Sequence, residues 1–360
     1  MYRLLVSEPS LNNFEKFSTL AKEVWESGIM THNGQKVQEL ERKLKEKWDI
    51  KHLSLVTNGT IALELAMRAL KLPKGSDILT TPFTWIATAS AIVWQDYNPI
   101  FVDIDSDTLN MDPSKIEEKI TSNTSAILAV HVFSNPCNVE EIDRIAKERG
   151  LKVIYDGAHS VGVKYKGQDL SNWGDITTHS YHATKIYNCG EGGSIIANDP
   201  KLAKRVERIR FFGHNEKKEI IHEGTNAKMH EISACIGLAN LDMLDKTIMH
   251  RKLLTIMYKH RLEEIPVKFQ SINFHEYNFS YCPIIFETEE KCMEVYHALD
   301  AINIMPRRYF HPSLNEMEIF EKQECTISED ISRRILCLPC HDRVKIFDVD
   351  EITTAIISKF

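Results

Sequence analysis

The stretch Ser180-Tyr181-His182-Ala183-Thr184-Lys185-Ile186-Tyr187-Asn188-Cys189-Gly190-Glu191-Gly192-Gly193 places a lysine between a strand end and a glycine-rich turn. Residues Ile176 to His182 read as a β-strand, so the chain leaves a sheet edge carrying a hydroxyl, an imidazole and an amine. Gly190, Gly192 and Gly193 then let the backbone turn tightly and approach a bulky planar group without a Cβ clash. A lysine so placed suits an imine with pyridoxal phosphate. On its own it also reads as an ordinary solvated lysine beside a hairpin.

Two further segments favour the first reading. Leu151 to Tyr155 is a short apolar strand closed by Asp156-Gly157-Ala158-His159. A carboxylate at that strand end can face a pyridine nitrogen, keep it protonated by charge pairing and make the ring an electron sink; His159 could donate to the ring's phenolate oxygen. Alone, Asp-Gly is a common turn signal. Further upstream, the strand Leu53 to Val56 runs through Thr57-Asn58-Gly59-Thr60 into Ile61, Leu65, Ala69 and Leu70 at helical spacing. The free N–H groups and dipole of that helix start make a phosphate site.

Taken together, the three segments resemble those of the DegT/DnrJ/EryC1/StrS family of sugar aminotransferases, and the resemblance runs over nearly the whole chain. It implies a pyridoxal 5'-phosphate enzyme with the aspartate aminotransferase-like α/β fold (fold type I), a mostly parallel sheet covered by helices plus a smaller C-terminal α+β domain. Thr57 to Thr60 looks like the family's phosphate turn, which assigns Gly59 and Thr60 to the cofactor. Thr81 to Thr88 looks like the segment whose aromatic residue stacks on the cofactor ring, here Trp85. Asp156 to His159 matches the pyridinium-partner motif, and Ser180 to Gly193, with Ser180 and Lys185, the lysine motif. Lys185 and Asp156 are the implied catalytic pair.

Gly224-Thr225-Asn226-Ala227-Lys228-Met229-His230-Glu231 is similar to the family segment that reaches into a neighbouring subunit's site. This implies a homodimer with shared active sites, in which Asn226 contacts the partner's phosphate and Lys228 the substrate. Family members often carry an aromatic residue and an arginine where this chain has Ala227 and Lys228, and a glycine where it has Ser134. His182 to Lys185, with Glu191, resembles enzymes that aminate a sugar at C4; C3 enzymes usually show a proline before the lysine and an aspartate at position 191. The segment Arg307 to Pro312, with Arg308 and Tyr309 as substrate contacts, resembles most the branch that makes dTDP-4-amino-4,6-dideoxyglucose for surface polysaccharide. The implied reaction moves nitrogen from L-glutamate to a nucleotide-linked keto sugar. The alternatives are a C3 aminotransferase and a sugar dehydratase or regulator of the same fold; the colitose-type dehydratases of the family carry histidine in place of the lysine, and Lys185 argues against them.

Composition agrees with a soluble enzyme and excludes other classes. The 360 residues are 43% hydrophobic and 26% charged, enough to bury a large core, and the net charge of −7 offers no basic footprint for nucleic acid. The first residues lack the apolar core of an export signal, and no run approaches the ~20 apolar residues of a membrane span, so a cytoplasmic protein is expected. Eight scattered cysteines suit reduced core thiols, and Cys337-Leu338-Pro339-Cys340 reads as a strand entering a turn, not a metal site. No G-x-G-x-x-G follows a strand, against a Rossmann dehydrogenase.

Strand and helix signals alternate along the chain. Helices are expected at Phe14 to Ser27, Lys36 to Trp48, Glu231 to Leu244, Lys246 to Leu262 and Lys291 to Ala301; strands at Ile78 to Thr81, Ile100 to Asp103, Ala126 to Phe133 and Tyr281 to Phe286. Alternation of this kind builds a parallel sheet with helices on both faces. The expected division is a large cofactor-binding domain, residues 1–244, and a small one, 245–360.

Overall fold

Strands whose side chains are apolar on both faces can only sit between two layers, and the longest run of this kind, Ala126 to Val130, lies in the interior of the sheet, flanked by strands on both sides. The computed structural model describes residues 2–11, 13–272 and 277–360. Seven strands form one sheet: β1 (Leu53–Val56), β2 (Asp77–Thr80), β3 (Asn98–Phe101), β4 (Thr124–Val130), β5 (Lys152–Asp156), β6 (Ile176–Ser180) and β7 (Gly193–Ala197). Their spatial order is β1-β7-β6-β5-β4-β2-β3; β7 is antiparallel to both neighbours, and all other pairs are parallel.

Alternation decides which residue faces which layer. From β4, Ala126 and Leu128 join the core under one set of helices, whereas Ile127 and Ala129 join the core on the other face. Ile78 and Leu79 of β2, and Ile154 against Val153 and Tyr155 of β5, divide the same way. Each fully buried aliphatic side chain contributes ~1.5–3 kcal/mol, so a one-residue slip of register would reverse the whole set. This pins the strand ends, and with them the residues that follow.

The sequence expectations for β2, β3 and β4 are displaced by one to three residues. The largest difference is at the end of β4, where the strand stops at Val130 and 132–134 turn sharply. At the lysine segment the strand ends at Ser180, before His182. β7, not anticipated, fits between β1 and β6 because Gly193 has no side chain: a Cβ there would meet the Asn58 carbonyl and the His179 carbonyl oxygen at 2.7–2.8 Å.

A second, three-stranded antiparallel sheet comprises Lys268–Phe269, Cys282–Ile285 and Ile335–Leu338, with its own core from Leu254, Tyr258, Val295, Leu336 and Ile352. Leu4 belongs to that core, and Leu4–Leu5 pairs with Ile304–Met305. Cys337 lies in the last strand, and all eight cysteines are buried and unpaired with one another. Among the described residues no helix is long and apolar enough to cross a membrane, and no cluster of three or more His, Cys, Asp or Glu side chains is placed to hold a metal.

Candidate active site

β5 and β6 are parallel neighbours, and β1 runs in the same direction because β7 between it and β6 is antiparallel to both, so the three deliver their following residues to one edge of the sheet. A cavity of about 650 Å³ opens there. It is lined from β1 by Asn58, Gly59 and Thr60, from β5 by Asp156 and His159, and from β6 by Ser180 and Lys185. Three segments spread over more than 120 residues of the chain therefore meet in one site.

After β1, Asn58 caps the helix Gly59–Leu70: its side chain accepts from the Ile61 N–H at 2.9 Å, and its carbonyl accepts the first intrahelical bond from Ala62 at 3.2 Å. This leaves the N–H groups of Gly59 and Thr60 for a ligand in the cavity, at the positive end of the helix. Gly59 is required sterically, since a Cβ would meet the Ser180 Cβ at 2.8 Å. The site thus holds an anion cradle that only glycine permits.

Asp156 ends β5 with its carboxylate buried. Oδ2 accepts from the Thr88 hydroxyl at 2.8 Å and Oδ1 from the Ala158 N–H at 3.0 Å. Removal from water pushes the carboxyl above the ordinary aspartate range, opposed by those two hydrogen bonds and by the charge of Lys185. Thr88 in turn shares a hydrogen bond with Thr84 at 3.0 Å. A carboxylate so oriented is ready for a cationic N–H partner.

Lys185 is half-buried in the wall opposite. Desolvation pushes its ammonium below the ordinary lysine range against the pull of Asp156, so the free amine is more accessible than in water. His159 is buried in the cavity wall, held by burial and by Lys185 well below the usual histidine range and hence neutral. Trp85 stands at the mouth, 56% exposed, with its ring 6.4 Å from that of Tyr309 in an edge-on arrangement. Tyr281, Tyr309 and Phe310 close the far wall. Anion cradle, carboxylate, amine and aromatic cover match the phosphate, ring nitrogen, carbonyl carbon and ring faces of pyridoxal phosphate, so the residues present fit that cofactor.

Three sequence-derived candidates lie elsewhere in this chain. Arg308 is turned away from the cavity, its Nη2 bonded to Glu289 at 2.6 Å and to the Arg333 carbonyl; Arg307 lines the cavity instead, its guanidinium 5.3 Å from the Tyr309 ring centre. The reason is alternation. Arg307 pairs with Cys337 as an extended residue, so adjacent side chains take opposite sides. Asn226 and Lys228 run beside the edge strand β1, where Lys228 pairs with Val56. Lys228 donates to the Asn226 side chain, lies over Phe211 and Phe212 at 4.7 and 4.4 Å, and lines a separate cavity.

Thr88 and Arg307 were not foreseen as site residues. Thr88 had a signal in the spacing Thr84–Thr88, one helical turn, beside the stacking candidate. Nothing local singles out Arg307 from Arg308.

Fold and site define an aminotransferase of fold type I, dependent on pyridoxal phosphate. The chain belongs to the DegT/DnrJ/EryC1/StrS aminotransferase family, which it matches over residues 13–357. It is 36% identical to the dTDP-4-amino-4,6-dideoxy-D-glucose transaminase of Escherichia coli, over 98% of each chain. It is 34% identical to the GDP-perosamine synthase of Escherichia coli O157:H7, over 93% of this chain and 92% of that one. Among solved structures, DesI in the presence of its TDP-sugar product superposes with a TM-score of 0.93 at 27% identity, covering 99% of this chain and 93% of that chain.

Proposed function

We propose that this aminotransferase converts a nucleotide-linked 4-keto-6-deoxy sugar, dTDP-4-keto-6-deoxyglucose, to the 4-amino sugar with L-glutamate as donor. In this reading it acts in the cytoplasm as a homodimer, for surface polysaccharide and O-antigen synthesis. The observation that carries the substrate choice is the 36% identity, end to end, with a dTDP-4-amino-4,6-dideoxy-D-glucose transaminase. Glu191 at the cavity, where C3 enzymes usually have aspartate, supports amination at C4. The match to a GDP-perosamine synthase makes a GDP-linked 4-keto sugar the second reading. We also propose the division into units 1–244 and 245–360, supported by the separate core of the second sheet, with the short strand Leu4–Leu5 as the exception that pairs with Ile304–Met305 of the second unit.

When bound, pyridoxal phosphate supplies an electron sink for the carbon that exchanges nitrogen. Lys185 would hold the cofactor, and its freed amine would act as the base that, within each half-reaction, takes a proton from one carbon and delivers it to another; desolvation, which pushes its ammonium below the ordinary lysine range, favours that free amine. Asp156, fixed by Thr88 and Ala158, holds the proton at the ring nitrogen. The Gly59 and Thr60 amides and the Ser180 hydroxyl, which line the cavity, would hold the phosphate, His159 would donate toward the phenolate oxygen, and Trp85 would cover the ring face. Arg307, at the cavity wall, is the cation best placed for an anionic substrate.

Incubation with L-glutamate and a panel of dTDP- and GDP-linked 3-keto and 4-keto sugars, followed by mass spectrometry and NMR of the products, tests the substrate. A dTDP-linked 4-amino sugar is expected as the main product. Exclusive use of a 3-keto or GDP-linked sugar would overturn the assignment.

The shared site has its own test. Lys185→Ala and an impaired Asn226 variant, mixed and allowed to exchange subunits, should regain up to half the wild-type activity per mixed dimer, because one of its two sites then holds both groups. The Asn226 variant must first be impaired alone, which loss of a bond to a charged phosphate, ~1.5–3 kcal/mol, is expected to achieve. No recovery in a verified heterodimer would reject sharing.

A further inference from the structure

Phe133 and Ser134 are adjacent non-glycine residues in the left-handed region, with φ of 54° and 79°, both fully buried. Such a pair persists only where its surroundings enforce it. The turn is closed by two backbone bonds, Ser134 N–H to the His131 carbonyl at 3.1 Å and Asn135 N–H to the Val132 carbonyl at 3.0 Å. Two of its other groups meet on one residue of the active site. The Phe133 N–H donates to His159 Nδ1 at 3.2 Å. The Ser134 hydroxyl donates to the His159 carbonyl at 2.7 Å.

That carbonyl receives two more donors, the Asn278 side-chain amide at 2.7 Å and the Ser280 hydroxyl at 2.9 Å. Three donors on an oxygen with two lone pairs fix its position more firmly than ordinary backbone pairing does. The ring plane is fixed as well: the imidazole is parallel to Phe133 and Phe310 within 6° and 2°, at centroid separations of 6.1 and 6.2 Å. A nitrogen that accepts a backbone N–H cannot carry a proton, so in the neutral ring the proton lies on Nε2. His159 is one of the residues lining the cavity.

We propose that the left-handed Phe133–Ser134 turn, with Asn278 and Ser280, is a positioning device that locks His159 as the neutral Nε2–H tautomer aimed into the active site. Ser134 is the residue on which it depends: it combines the turn conformation, which glycine would adopt more easily, with a hydroxyl that glycine lacks. The depressed basicity of His159, from burial and from Lys185, acts in the same direction by keeping the ring neutral. The role assigned to this N–H rests on the function proposed above, whereas the tautomer itself does not.

The experiment is 15N NMR of the full chain with labelled histidine, without cofactor and with pyridoxal phosphate, the His159 signals being identified by their loss in His159→Gln. In the wild type, Nδ1 is expected to show the shift of an unprotonated ring nitrogen and Nε2 that of an N–H, unchanged where exposed histidines titrate. Ser134→Ala and Ser134→Gly should both introduce the second tautomer and lower kcat by about two- to tenfold, the loss of one buried hydrogen bond. Because glycine relieves the backbone while alanine does not, equal effects assign the result to the hydroxyl. An Nδ1–H or doubly protonated His159 in the wild type would overturn the proposal, as would wild-type spectra in both Ser134 variants. Should those variants not fold, Ser280→Ala decides, with the second tautomer expected and an unchanged spectrum contradicting the lock. Borohydride attachment of the cofactor at Lys185 in the same samples reports separately on the cofactor reading, so the two can fail independently.

Discussion

Lys185→Ala is expected to lower kcat by more than roughly 10⁴-fold while the protein still folds and takes up pyridoxal phosphate. General-base catalysis alone is worth ~10²–10⁴, and this side chain also carries the cofactor, so its removal takes away two contributions at once. Folding should be spared because the amine is not tied to the described residues by a hydrogen bond and its ion has been drawn into a desolvated wall, where it stabilises little. Thermal unfolding and cofactor absorbance measured beside steady-state rates check all three statements. Turnover near the wild-type value in this variant is incompatible with the mechanism.

The second largest effect belongs to Asp156→Asn. The amide is nearly isosteric and can still accept from the Ala158 N–H, so the geometry around Thr88 should persist; what is lost is the charge that holds a proton at the ring nitrogen. Removal of one preorganised electrostatic contact in a dry site costs ~3–4 kcal/mol, roughly 10²- to 10³-fold in kcat. Both half-reactions should slow, because both develop charge on the same ring. Single-turnover rates with glutamate and with the keto sugar, followed separately by absorbance, measure this. A normal rate in either half-reaction excludes the role.

The parts of this site that were legible in the sequence share one property: each is announced by its own neighbours. Lys185 stands between a strand pattern and three glycines, Asp156 closes an apolar strand, and Gly59-Thr60 lies where period two gives way to period 3.6. Those local signals also suffice for the parallel sheet, since apolar strands alternating with amphipathic helices have few other ways to bury both faces. What remained hidden depends on contacts between distant segments. The Thr88 bond to Asp156 spans 68 residues, and only the sheet order puts them together. β7 could not be distinguished from the rest of its glycine-rich stretch until its slot between β1 and β6 was known.

The exchange of Arg308 for Arg307 has a similar origin. In an extended segment the choice between adjacent residues is set by register against the partner, here Cys337, and that register is invisible in a dipeptide of two arginines. Ser134 shows the converse. Its departure from glycine was visible in the sequence, but its meaning rests on a carbonyl 25 residues away that it shares with Asn278 and Ser280.

The central claim, that Lys185 carries the cofactor in a cavity it shares with Asp156 and the Gly59–Thr60 helix start, is tested most directly by borohydride reduction of the holoenzyme followed by peptide mapping. The pyridoxyl label is expected on the peptide containing Lys185 and to vanish from it in Lys185→Ala. Label fixed to any other lysine, or none retained by a protein that binds the cofactor stoichiometrically, would contradict it.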